Sequence, residues 1–102
     1  MFTKTYIEIR ENTDVEFWHN LPEIKSWIEP FEQQCIIDGL LISITNDISA
    51  DGLTFTRIST FPSEAAYTAL INNSPDLEYQ NHRSAYNRAC SRIWFNTDGY
   101  AA

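Results

Sequence analysis

Apolar and polar residues alternate along Phe2–Arg10, a stretch rich in Thr, Tyr and Ile, and the alternation predicts a first strand. Thr13 and Glu16 have the T-x-x-E spacing of a capping box, and Asp14–Asn20 is expected to form a short turn. From Pro22 the period changes. Leu21, Ile24, Trp27, Ile28 and Phe31 recur three and four residues apart, the buried stripe of a helix that Pro30 interrupts. Asp38-Gly39 ends this helix, and Leu40–Ile48 reads as a second strand with Leu40, Ile42 and Ile44 on one face. Asp51-Gly52 is a hairpin signal with both turn positions expected at positive φ, and Leu53–Phe61 is the third strand.

Pairing across that turn puts Leu53 and Phe55 on the face of Ile44 and Ile48. The opposite face carries Ser43, Thr45, Thr54, Thr56, Ile58 and Thr60, a half-buried surface suited to cover by a second sheet. Ser63 caps a helix over Glu64–Asn72 that packs through Ala66, Tyr67, Leu70 and Ile71. Ser74-Pro75 restarts it, with Ser74 as cap, as far as about Ala89. Arg92–Asn96 gives a short last strand and Thr97–Ala102 a tail. Sheet and helices are expected to share a core of Leu40, Ile42, Ile44, Phe55, Trp27, Ile28, Phe31, Leu70 and Ile93.

Composition narrows the class. A chain of 102 residues with 43% hydrophobic and 14% aromatic positions fits one packed domain, residues 1–102. Three Trp, six Phe and five Tyr are many rings for so small an interior, and some are expected to meet a partner. The net charge of −7 sits in residues 1–56, where ten acids face Lys4, Arg10 and Lys25. Such a chain repels phosphate backbones and anionic bilayers, so no nucleic-acid or membrane partner is expected. The apolar runs Cys35–Ile37 and Gly39–Ile42 are too short to span a bilayer. Cys35 and Cys90 are isolated thiols without metal spacing, and no signal peptide precedes them, which points to a cytoplasmic setting.

Candidate chemistry is sparse. Asp47-x-Ser49-x-Asp51-Gly52 imitates the start of a calcium loop, but its twelfth position is Ile58 where a Glu is required, so no metal is expected. No nucleophile elbow, P-loop or dinucleotide fingerprint occurs, and no cofactor is expected. Tyr79, His82 and Tyr86 fall on one helical face with Ala89, and Arg83 lies beside them; these three form the candidate pocket. The same His82 also suits a packing role with tyrosine hydrogen bonds, and no second catalytic partner is evident, so no catalytic residue is assigned. His19 is expected to face solvent beside a buried Trp18. Arg88 and Arg92, four residues apart, offer either carboxylate-pairing forks or a solvated helix end.

The element order β-α-β-β-α-β, the stretch Ile48–Arg57, and Phe61-Pro62-Ser63-Glu64-Ala65-Ala66-Tyr67 resemble ferredoxin-like dimeric α+β barrels, the antibiotic-biosynthesis-monooxygenase-like group. The chain is also similar to small proteins of tailed phages. The barrel resemblance implies a four-stranded antiparallel sheet, a homodimer closed sheet to sheet, and a small apolar ligand between sheet and helices. Haem-degrading members use an Asn on the first strand, a Trp, and a His on the second helix. His82 matches that His, but Phe2–Arg10 contains no Asn. The expected function is a non-catalytic homo-oligomeric assembly module, a phage accessory or virion component associating with itself and with virion or host proteins. The alternative is a cofactor-independent monooxygenase-like enzyme or a small-ligand or haem-binding barrel.

Overall fold

Four strands and three helices account for the chain in the computed structural model, which describes residues 1–100, with side chains described through Thr97. The strands are β1 (Phe2–Ile9), β2 (Ser43–Ile48), β3 (Thr54–Phe61) and β4 (Ile93–Tyr100). The helices are α1 (Pro22–Ile37), α2 (Glu64–Ile71) and α3 (Ser74–Ala89), with a 3-10 turn at Trp18–Asn20. The strands form one antiparallel sheet in the order β2-β3-β1-β4. This is the ferredoxin-like α+β arrangement, its second helix broken into α2 and α3.

Cross-strand partners share a face, so the register sorts the side chains. Phe2 pairs with Phe61, Tyr6 with Arg57, Glu8 with Phe55, and Ile48 with Phe55 from the other side. These residues face the helices. Phe2, Phe61, Cys35 and Leu41 form one buried cluster with Phe31, Ile44, Tyr67 and Leu70 around it. Trp18, Ile24 and Ile28 form another against Trp27, Tyr79 and Tyr86, which joins α1 to α3. The opposite face carries Thr54, Thr56, Ile58 and Thr60, and no helix among the described residues covers it. Ile9, Ile58, Ile93 and Phe95 are 37%, 39%, 64% and 42% exposed there.

Local chemistry ends α1 as expected and carries it further than expected. Gly39, at φ 75°, closes a Schellman motif in which Gly39 N donates to Ile36 O and Leu40 N to Cys35 O. Pro30 does not interrupt the helix. It lies on the exposed side, and the Ser26 carbonyl that it leaves without a donor is on the same wet face.

Several expectations are corrected. β2 begins at Ser43 rather than Leu40. The chain turns after Gly39, so Leu41 is buried while Leu40 and Ile42 are 41% and 44% exposed. Ile93 also leaves the expected core, because its pairing with Ile9 fixes it on the open face. Only Gly52 of the hairpin pair takes positive φ; Gly52 N closes a turn onto Ser49 O, and Asp51 accepts from Ser49 Oγ and Leu53 N. Thr13 and Glu16 cap no helix: the Glu16 carboxylate accepts from Phe17 N and lies 3.7 Å from Arg10. Asn73, not Ser74, is the cap of α3. β4 continues through Thr97 to Tyr100, so the expected tail is strand; residues 101–102 lie outside the described residues. No helix among the described residues is long and apolar enough to cross a membrane.

Candidate functional site

A cavity of about 150 Å³ lies between the sheet and the helices. Ile28, Phe31 and Cys35 of α1, Leu41, Phe61 of β3 and Leu70 of α2 line its apolar end. The other end is polar, where His19, Arg57, Asp76, Tyr79, Gln80 and Arg83 converge; Glu32 beside Arg57 and Lys4 over the Tyr67 ring also line the cavity. A volume of this size matches one benzene-sized ring.

The polar end arises because the core register of β1 changes character along the strand. Phe2, Lys4, Tyr6 and Glu8 all point to the helices, and the last two bury polar groups among rings. Glu8 is fully buried. Its Oε1 accepts a 2.6 Å hydrogen bond from the Tyr6 hydroxyl, which in turn accepts one of 2.8 Å from Asn87 Nδ2 of α3. Arg92 brings Nη1 to 3.7 Å from Glu8 Oε2, while its Nη2 donates to the Val15 carbonyl. Burial raises the Tyr6 phenol well above its ordinary range, with Arg83 acting against it.

His19 is the surprise. The 3-10 turn folds its ring inward, where it stacks on Phe55 at 5.2 Å and 11°, with Trp18 and Tyr6 edge-on. It is 5% exposed rather than solvent-facing. The alternation and period rules are silent in Glu11–Asn20, which has neither, so nothing local marked this ring as buried. Nδ1 of His19 lies 3.9 Å from Glu8 Oε1. Burial first, then the cations of Arg57 and Arg83, holds the imidazole pKa well below 6.5, so the ring is neutral near pH 7.

Arg57 is buried on β3, ion-paired with Glu32 and donating 3.2 Å to Asn46 Oδ1. Burial, helped by Arg83, lowers its pKa to about 10. Arg83 stacks its guanidinium 4.1 Å over the Tyr6 ring, and its buried Nε has no acceptor. Asp76 accepts 2.6 Å from Gln80, and burial raises its carboxyl. The Cys35 thiol is likewise pushed up by burial, as suits a wall residue. No group of three or more His, Cys, Asp or Glu among the described residues could hold a metal ion.

The three residues of the expected pocket pack around Trp18 and Trp27, and of the three Tyr79 lines the cavity. Tyr79 lines the cavity and meets Trp27 and Phe31 edge-on at 4.7 and 5.5 Å. His82 lies outside it, an exposed residue whose Nδ1 accepts from Trp18. The Tyr86 hydroxyl donates 2.6 Å to the Glu16 carbonyl, tying α3 to the segment before the 3-10 turn. Arg88 is exposed; Arg92 has the carboxylate-facing position, opposite Glu8.

Comparison with known proteins supports the fold. No family model and no curated protein matches the sequence. Solved structures do. An antibiotic biosynthesis monooxygenase aligns over 98% of both chains with a TM-score of 0.66 and 14% identity. A Deinococcus radiodurans protein assigned to the same monooxygenases aligns over 100% of this chain and 93% of its own, with a TM-score of 0.65 and 6% identity. The hydroxynitrile lyase of Passiflora edulis covers 99% of this chain and 95% of its own, at 0.57 and 17%. The chain therefore has the ferredoxin-like fold that these antibiotic biosynthesis monooxygenases also have. At these identities the likeness concerns architecture, and what this chain does has to be argued from its own cavity.

Proposed function

We propose that this chain is a small-molecule-binding domain of the enzyme kind, whose cavity takes a single-ring ligand with a polar substituent directed at His19 and Arg83. The observation that carries the reading is the polarity gradient across one partly open cavity. Apolar walls at one end suit a ring, and a neutral imidazole and an unpaired guanidinium nitrogen at the other suit an oxygen substituent. The fold likeness to monooxygenases and a lyase is compatible with enzyme chemistry but does not specify a reaction.

The test is calorimetric titration with phenol, toluene and benzyl alcohol. Phenol and benzyl alcohol should bind more tightly than toluene, and Arg83→Met should remove that preference. Equal, unsaturable heats for all three would refute the reading.

A second reading, compatible with the first, is self-association. It rests on the open sheet face, where Ile93 and Phe95 lie uncovered beside the Thr-rich rows of β3. Two copies meeting through this face would bury those apolar groups, and the proposed ligand site would remain on the other side of each sheet. No observation favours a virion role in particular.

A further inference from the structure

Polar side chains buried for structural reasons alone are normally saturated with hydrogen bonds. The group around Glu8 is not. Glu8 Oε2 and Arg92 Nη1 meet only as a 3.7 Å ion pair, and His19 Nδ1, Asn87 Oδ1 and Arg92 Nε are sealed from solvent without a hydrogen-bond partner. They surround one carboxylate, and one member of the group, His19, also forms part of the cavity wall.

We infer that Glu8 and His19 form a proton-accepting pair at the polar end of the cavity, with Glu8 as the positioning residue and His19 as the base, acting on a phenolic or enolic O–H of the bound ligand. The inference rests on the cavity being a ligand site. In the resting pair Nδ1 of His19 carries its hydrogen and faces Glu8, which leaves Nε2 unprotonated as the accepting atom. The ligand O–H bond breaks, an Nε2–H bond forms, and the electron pair stays on the ligand oxygen as a phenolate or enolate. Nothing is oxidised or reduced.

The Glu8 carboxylate is the group placed to stabilise the imidazolium, against the burial and the Arg57 and Arg83 cations that disfavour it. The 3.9 Å between His19 Nδ1 and Glu8 Oε1 exceeds a hydrogen bond, and it closes once the ring becomes a cation facing a carboxylate. Catalytic hydrogen bonds are commonly long before the reacting partner arrives. Tyr6, Asn87 and Arg92 hold Glu8 in place from three sides, so only the imidazole has to move. The anion left on the ligand lies at the end where Arg57 and Arg83 contribute positive charge. Arg57 is engaged by Glu32 and Lys4 lies over the Tyr67 ring, so Arg83, whose Nε has no acceptor, is the cation assigned to the oxyanion.

The charged and titratable groups around His19 are Tyr6 and Glu8 from β1, Arg57 from β3, Asp76 and Arg83 from α3, and Arg92 ahead of β4. Any pH profile reports this set together.

The experiment combines histidine ¹⁵N NMR with a chromogenic phenol, 4-nitrophenol. The chain has two histidines, and they should occupy opposite tautomers. In the free wild type His82, whose Nδ1 accepts from Trp18, should carry its proton on Nε2, and His19 should carry its proton on Nδ1. Bound 4-nitrophenol should absorb as the phenolate at a pH where the free probe is protonated. Glu8→Gln should keep the probe bound but raise its apparent pKa in the complex by about one unit, a tenfold change. An Nε2–H tautomer for His19 in the free wild type overturns the pair without any variant. So does an unchanged ionisation of the bound probe in folded Glu8→Gln. If His19 is the Nδ1–H tautomer and no phenol binds, the pair stands and the ligand-site reading is what fails.

Discussion

Trp18 Nε1 donates a 2.8 Å hydrogen bond to Nδ1 of His82, linking the 3-10 turn to α3 across 64 residues of sequence. Trp is a donor only, so the nitrogen facing it must be unprotonated, and Trp18 itself is 1% exposed. His82 is thus an anchor for a buried indole, with Trp27 edge-on at 5.3 Å on its other side.

The consequence for stability is specific. His82→Phe leaves a buried N–H without an acceptor and should cost about 1–3 kcal/mol in urea unfolding. Trp18→Phe combined with His82→Phe removes both partners, so the two changes should be non-additive. Ligand binding should survive His82→Phe. A loss of phenol binding in the folded variant would instead make His82 part of the site.

His19 sets an acid limit on stability. Its folded-state pKa is depressed, by burial and then by Arg57 and Arg83, so protonation favours the unfolded chain. The stabilisation is complete above the unfolded value of about 6.5 and is lost as pH falls toward the folded value. Asp76 works in the opposite sense: its raised carboxyl contributes below about pH 4 and loses that contribution as pH rises through its folded value. Urea midpoints should therefore fall between pH 7 and pH 5 in the wild type, and His19→Phe should flatten that slope. An equal slope in the variant contradicts the assignment.

The open sheet face should make the protein a dimer at micromolar concentration. Ile93→Lys with Phe95→Lys, both on exposed positions of β4, should yield a folded monomer by light scattering. A monomeric wild type removes the self-association reading and leaves the cavity untouched.

The legible parts of the sequence were those with a strong period or a punctuation signal. The stripe Ile24, Trp27, Ile28 and Phe31, the cap at Ser63 and the restart at Ser74-Pro75 all reappear within a residue or so. Element order alone was enough for the fold. Apolar character misled where geometry decides burial: Leu40 and Ile42 follow the Gly39 turn, and Ile93 sits on the uncovered face. The site was hidden for a different reason. Glu8 and Tyr6 follow Phe2 in the core register, so the alternation that identified β1 already placed them inward, but an inward Glu has meaning only beside residues far along the chain. Asn87 and Arg92 meet it through tertiary structure, and His19 lies in a segment with no period at all.

The most direct measurement is a crystal of the wild type exposed to 4-bromophenol, with bromine located by its anomalous signal. The account predicts a single bromine peak at the apolar end, near Phe31 and Leu70, with the phenol oxygen directed at Arg83 and His19. Bromine found only on the open sheet face, or an empty cavity at saturating phenol, would contradict it.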